Sequence, residues 1–257
     1  MKARLLPVVY LAVVIAAAPL ILAQDQGRSF HWSGKLAPEN VIEIKNINGD
    51  IEARPTGGDS VDVTAEKSGP QADQVKIEVA QRTDGVTICV VYPSMHDDGH
   101  CEQMNNHGHT DAKVMFHLQV PSNIRFSGKN VNGTINAEDL GRVIHAETVN
   151  GSIHASTKSW VEASSVNGSI EAAMGKAGWN GTLRIATVNG SIHLTLPGDT
   201  DSDVDFKSVN GRLDSDFPLT VQGRMGGHSV SGTIGSGGRE LKLETVNGGV
   251  ELRRGSI

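Results

Sequence analysis

Val149-Asn150-Gly151-Ser152-Ile153 recurs unchanged in pattern as Val166-Asn167-Gly168-Ser169-Ile170 and Val188-Asn189-Gly190-Ser191-Ile192. Working outward, close variants appear at Ile47-Asn48-Gly49-Asp50-Ile51, Val131-Asn132-Gly133-Thr134-Ile135, Val209-Asn210-Gly211-Arg212-Leu213 and Val246-Asn247-Gly248-Gly249-Val250. Val230-Ser231-Gly232-Thr233-Ile234 reads as a degenerate copy. From Asn132 onward the units follow one another at steps of 18, 17, 22, 21, 21 and 16 residues. Self-similarity at such a period is the signature of a stacked repeat architecture.

The residue types suit a sharp corner, because Asn and Gly are the types that most readily take positive φ. Each unit is flanked by alternating runs such as Arg142-Val143-Ile144-His145-Ala146-Glu147-Thr148. Alternation of period two marks half-buried strands. Asn-Gly between two strands would by itself suggest a hairpin. The same corner after every coil, in the same hydrophobic phase, instead suggests a chain that returns to the same place. The expected fold is all-β: a β-solenoid or β-helix of short stacked strands with Val-Asn-Gly turns.

Stacking then assigns expected roles. Val131, Val149, Val166, Val188, Val209, Val230 and Val246 form one inward ladder. Ile135, Ile153, Ile170, Ile192, Leu213, Ile234 and Val250 form a second. Pairs such as Ile144 and Ala146, or Leu183 and Ile185, form a third inward face. Asn132, Asn150, Asn167, Asn189, Asn210 and Asn247 are expected to stack as a structural amide ladder.

Bulk composition agrees with thin stacked layers. The chain has 257 residues, with 30 Gly and only 4% aromatic residues, so the core is built from small and branched aliphatics. Its net charge of -6 is spread without a basic block, which argues against nucleic acid as a partner. Lys2 and Arg4 precede an apolar run from Leu5 to Leu22, and Ala23 is followed by polar residues. This pattern reads as a cleaved secretory signal over residues 1–23, with an uncleaved membrane anchor as the alternative. Cleavage leaves no expected transmembrane segment, and the mature chain would be periplasmic, at the cell surface or secreted.

Residues 28–127 look like a hairpin-rich N-terminal region capping the solenoid, and residues 128–257 like its regular coils. No linker divides them, so residues 24–257 read as one continuous domain. The two cysteines, Cys89 and Cys101, suggest one disulfide in an exported protein. Free thiols, or thiols that bind metal with nearby histidines, are the competing readings.

The pattern resembles the DUF4097 family, a group of adhesin-like domains of bacterial envelope proteins. The resemblance rests on Ile42-Glu43-Ile44-Lys45-Asn46-Ile47-Asn48-Gly49-Asp50-Ile51, on Val61-Asp62-Val63-Thr64-Ala65-Glu66-Lys67, and on Phe116-His117-Leu118-Gln119-Val120-Pro121. The serial Val-Asn-Gly-Ser-Ile units complete it. It implies a β-solenoid and brings no catalytic residues or cofactor.

Three constellations could carry chemistry. His96-Asp97-Asp98-Gly99-His100-Cys101 runs on to His107, His109 and Asp111, all metal-ligand types in a spacing that matches no structural zinc motif. His96, His100, His107 and His109 are therefore weak metal candidates beside a plain polar loop. The outward row Asn136, His154, Glu171, His193, Asp214 and Glu251, with lateral Arg184, Asp205 and Lys242, could be a binding face or a polysaccharide-cleaving groove. Trp32, Trp160 and Trp179 are the only tryptophans able to stack on sugars, and capping or packing is the simpler role for each. The expected function is that of a structural or interaction domain of the cell envelope, contacting an envelope protein or a surface polymer. A carbohydrate-active β-helix enzyme and a metal-binding envelope protein are the alternatives.

Overall fold

The computed structural model describes residues 24–92, 111–221 and 229–255. The leader, Cys101 and the loop histidines His96, His100, His107 and His109 lie outside the described residues. Among the described residues twenty-two strands follow one another, from β1 (Gln24–Gln26), β2 (Ser29–Gly34), β3 (Val41–Lys45), β4 (Ile51–Thr56), β5 (Val61–Ser68), β6 (Lys76–Arg82) and β7 (Gly85–Val91) to β8 (Lys113–Pro121). Next come β9 (Arg125–Lys129), β10 (Ile135–Leu140), β11 (Ile144–Asn150), β12 (Ile153–Thr157), β13 (Val161–Asn167), β14 (Ile170–Met174), β15 (Thr182–Asn189) and β16 (Ile192–Pro197). The last six are β17 (Ser202–Asn210), β18 (Leu213–Ser215), β19 (Thr220–Val221), β20 (Ser229–Ile234), β21 (Glu240–Asn247) and β22 (Val250–Gly255).

These strands make two 11-stranded sheets lying face to face. Each coil gives one strand to each sheet and turns between them at an Asn-Gly corner, except β7–β8, whose connection includes residues outside the described ones. The coils stack in parallel in the order β7–β8, β3–β4, β9–β10, β11–β12, β13–β14, β15–β16, β21–β22, β17–β18. The architecture is the solenoid expected from the repeat, but its order is not the order of the sequence. The last coil, β21–β22, lies between β15–β16 and β17–β18, with parallel partners on both sides. At the other end β7–β8 lies outside β3–β4, so coils begin well before residue 128. Among the described residues antiparallel strands flank three of the four sheet ends, β5, β2 and β1 beside β8, β6 beside β7, and β20 with β19 beside β17, while β18 is itself the edge of its sheet. Such strands cover the edges that an open stack would leave.

The core is a two-sided sandwich. Ile51, Ile135, Ile153, Ile170, Ile192 and Val250 stand in register on one inner face, all at most 1% exposed. Ala146, Ala163, Ile185, Leu243 and Phe206 stand in register on the other. These are the second and third of the expected inward faces; the first, the ladder of corner valines, needs correcting. Val149, Val166, Val188, Val209 and Val246 point outward, between 37% and 54% exposed. The cause is strand phase. Ile144, Ala146 and Thr148 are the inward residues of β11, so period two turns Val149 out. The Val230 unit is corrected as well: β20 runs antiparallel to β17, with Ile234 opposite Ser202, so it is an end strand and not a coil corner.

The corner glycines are required for a reason other than the one expected. None of the corner asparagines has positive φ, and among corner glycines only Gly49, Gly133 and Gly248 do. What every corner lacks is room. A Cβ on Gly151, Gly168, Gly190 or Gly211 would lie 2.0, 1.9, 2.2 and 1.8 Å from the carbonyl oxygen of the corner glycine in the neighbouring coil. Backbone packs directly on backbone there, a use of glycine that needs no special dihedral. Gly168→Ala is therefore expected to cost about 3 kcal/mol or more in urea unfolding, whereas Gly57→Ala, which meets nothing within 4 Å, should stay within about 0.5 kcal/mol. Equal costs would contradict this account of the corners.

Candidate functional site

The corner runs the length of the solenoid as a ridge, built from four aligned rows. The outermost is the amide row. Asn132 Nδ2 donates to Asn48 Oδ1 (2.8 Å), Asn150 to Asn132 (2.9 Å), Asn167 to Asn150 (2.8 Å) and Asn189 to Asn167 (2.8 Å). The row continues through the inserted coil, Asn247 to Asn189 (2.7 Å), and ends with Asn210 to Asn247 (2.9 Å). Every bond runs in the same sense, from the amide nitrogen of one coil to the amide oxygen of the one before it.

Beneath lies a row that the repeat pattern did not single out. Thr148, Ser165, Thr187 and Thr245 are each buried, and each donates its hydroxyl to a corner carbonyl of the neighbouring coil: Gly133, Gly151, Gly168 and Gly190, at 2.8 to 3.2 Å. In the early coils Asn46 and Asn130 hold the same place, and both donate Nδ2 to the Gly49 carbonyl. Buried carbonyls need such donors. The signal was present, since the residue two before each corner asparagine is always Asn, Ser or Thr. Ser208 stands at the same place in β17 and is buried, but its hydroxyl makes no hydrogen bond.

The third row is the glycines. The fourth is the exposed valines, Val149, Val166, Val188, Val246 and Val209 in spatial order, one strand spacing of about 4.8 Å apart. An open recess marks each end of the ridge. One, about 450 Å³, is lined by Ser191, Asn210, Arg212, Asp214 and Glu251 among others; the other, about 460 Å³, by Asn48, Asp50, Asp111, Lys113, Met115 and Asn132 among others.

Beside the ridge, the outward row read from the sequence is brought into one line with two residues added at its start: His117, Glu52, Asn136, His154, Glu171, His193, Glu251, Asp214. Imidazoles and carboxylates pair across it, His117 with Glu52 (3.1 Å), His154 with Glu171 (3.2 Å) and His193 with Glu251 (3.3 Å). At its end Arg253 holds Asp214, Asp216 and Glu251 within 3.2 Å. Arg253 keeps the Glu251 carboxyl below its ordinary range, and the Arg254 backbone N–H does the same for Asp216. A glycosidase needs one carboxyl raised to serve as acid, so these two are shifted the wrong way for that role. Among the laterals, Arg184 pairs with Glu244, Lys242 with Glu240, and Asp205 with Lys207.

On the other sheet's outer face His145 Nε2 lies 2.9 Å from the Glu147 carboxylate, and Nδ1 lies 3.4 Å from that of Glu162. The bond to Glu147 raises the imidazole above its usual value, against partial burial, and correspondingly lowers Glu147.

Trp32 and Trp179 are buried, Trp179 Nε1 donating to the Glu240 carbonyl, and Trp160 packs partly against the core. They form no exposed platform. Cys89 is buried at the end of β7 and is not a free thiol; Cys101 lies outside the described residues, so its pairing with Cys89 stays an expectation. Among the described residues no group of three or more metal-ligating side chains converges, and no helix is long and apolar enough to cross a membrane.

The resemblance read from the sequence is matched by comparison. Residues 145–253 fit the model of the Toastrack DUF4097 family. No curated protein matches the chain. Among solved structures, a putative cell adhesion protein of Clostridium sporogenes aligns at 9% identity and a TM-score of 0.45, over 89% of this chain and 100% of that one. A putative adhesin of Bacteroides fragilis aligns at 11% identity and a TM-score of 0.35, over 89% and 98%.

Asn167→Ala leaves Asn150 Oδ1 and Asn189 Nδ2 without their partners, and is expected to cost about 1–2 kcal/mol in thermal or urea unfolding; an unchanged melting temperature would mean the amide row adds nothing. His145 carries a pH signature. Its raised value means that its contribution is full below the usual imidazole value of about 6.5 and is lost as pH rises through the raised one. Wild-type melting temperature should therefore fall on going from pH about 6 to about 8 by more than that of His145→Gln.

Proposed function

We propose that this chain is an exported interaction domain of the bacterial cell envelope, an adhesin-like β-solenoid that binds a surface polymer along its corner ridge. The observation that carries the reading is the row of outward valines beside the amide row. Five branched apolar side chains stand in water on a surface otherwise rich in ion pairs, and contiguous exposed apolar surface marks interaction sites. The row is repetitive. A ligand laid along it meets the same valine and amide at each step, which suits a polymer of repeating units better than a globular partner. Asparagine amides present hydrogen-bonding groups to hydroxyls and amides of such a chain. The family match agrees with this reading without deciding it. The signal-like leader supports export, and a Cys89–Cys101 disulfide would fit that compartment.

The test is binding of residues 24–257 to arrayed envelope glycans and peptidoglycan fragments, for the wild type and for Val149→Ser/Val166→Ser/Val188→Ser. Saturable binding weakened about ten-fold or more in the triple variant is expected, since truncating three apolar contacts removes several kcal/mol of burial. Binding indifferent to the triple variant, or none to any polymer, would overturn the reading and turn attention to a protein partner.

A further inference from the structure

The corner units place a chemically labile pair, Asn followed by Gly, at seven positions of the stack. In such a pair the backbone nitrogen of the glycine can attack Cγ of the asparagine. A five-membered imide forms as the Cγ–Nδ2 bond breaks, the glycine N–H proton goes to solvent base and the side-chain nitrogen leaves as ammonia. Water then opens the ring to aspartate or isoaspartate. The step needs a glycine N–H that is free to leave its place and a side-chain amide that can turn towards it.

Six corners deny both conditions. Gly49 N–H donates to the Asn132 carbonyl, Gly133 to Asn150, Gly151 to Asn167, Gly168 to Asn189, Gly190 to Asn247 and Gly248 to Asn210, at 2.9 to 3.2 Å. Their amides accept from the next coil through Oδ1 and donate through Nδ2. The seventh corner differs because no described coil is stacked beyond it. Gly211 N–H has no partner among the described residues, Asn210 is exposed, and its Oδ1 accepts no bond from them; the amide is held only by its donation to Asn247. It lines the open recess at that end of the ridge.

We infer that Asn210 is a site of spontaneous deamidation, and that the fold protects the other corner asparagines from the same reaction. The product changes the end of the solenoid. A carboxylate at position 210 can only accept, and it would face Asn247 Oδ1, which then lacks its donor. The side-chain bond between β17–β18 and the inserted coil β21–β22 at this corner is lost, leaving the backbone bond from Gly248 to Asn210, and the new charge sits in a recess already lined by Asp214 and Glu251. Isoaspartate would also lengthen the backbone just before β18, whose pairing with β22 spans only Leu213 to Ser215. The end of the ridge is then the part that ages first.

Asn180-Gly181 provides an internal reference. It lies in the loop before β15, both residues are exposed, and Gly181 N–H donates to none of the described residues. The folded mature chain is incubated in mildly alkaline buffer at body temperature until Asn180 has measurably reacted. It is then digested after Lys and Arg, which isolates residues 208–212 from every other corner, and the deamidated fraction of each peptide is read by mass spectrometry. Asn210 is expected to react at least about ten-fold faster than Asn150, Asn167 and Asn189, whose opening requires the coils to part. In denaturant the four rates should converge. A rate at Asn210 within about two-fold of that at Asn167 in the folded chain would overturn the inference. Asn210→Asp, which installs the product directly, should show faster amide exchange over residues 213–215 than the wild type; unchanged exchange there would overturn the loosening of the terminal coil.

Discussion

At each corner the peptide of one coil sits against the peptide of the next with no space for a Cβ between them, and most of what is distinctive in this protein depends on that approach. It demands glycine. It brings the carbonyls of Gly133, Gly151, Gly168 and Gly190 within reach of a hydroxyl from the coil above, which selects Ser or Thr at the inward position before those turns. It also sets successive asparagines at hydrogen-bond distance, so their amides join in one line. Once the hydroxyl takes the inward slot, strand alternation leaves the neighbouring valine outside. The exposed apolar row is thus a by-product of how the corner closes, and a ready-made surface for a ligand.

The same approach explains how the chain can be stacked out of sequence. A corner of Ser or Thr, Val, Asn and Gly is complementary to any other such corner, whatever the chain length between them. β21–β22 fits between β15–β16 and β17–β18 because its Thr245, Asn247 and Gly248 offer the same groups as the coil on either side. The loop before β15 fastens it further, with Trp179 and Arg239 exchanging bonds across to the loop and strand. Coils interchangeable at the corner are ordered by their other contacts, and here the antiparallel end strands β20 and β19 hold β17 at the outside.

The repeat made the fold class and the corner asparagines legible in the amino-acid sequence. Two features were not legible, for physical reasons. The phase of Val149 and its equivalents was misread because a buried threonine looks polar and an exposed valine looks apolar; only the carbonyl that Thr148 satisfies explains the exchange. The coil order was not legible because identical corners carry no address. The outward row of His154, Glu171, His193 and Glu251 was legible as a row, since register follows from the repeat, but its extension to Glu52 and His117 depends on β8 returning beside β4. The tryptophans were legible as packing residues by their scarcity and scatter.

The central claim is that corner complementarity, not chain order, sets the stack, and its most direct test is a pair of double-mutant cycles on the amide row. Asn189→Ala combined with Asn247→Ala should show a coupling of about 0.5 kcal/mol or more in urea unfolding, because these amides share a bond, whereas Asn189→Ala combined with Asn210→Ala should be additive. Coupling between Asn189 and Asn210 with none between Asn189 and Asn247 would mean that the coils follow the sequence, and would contradict the account.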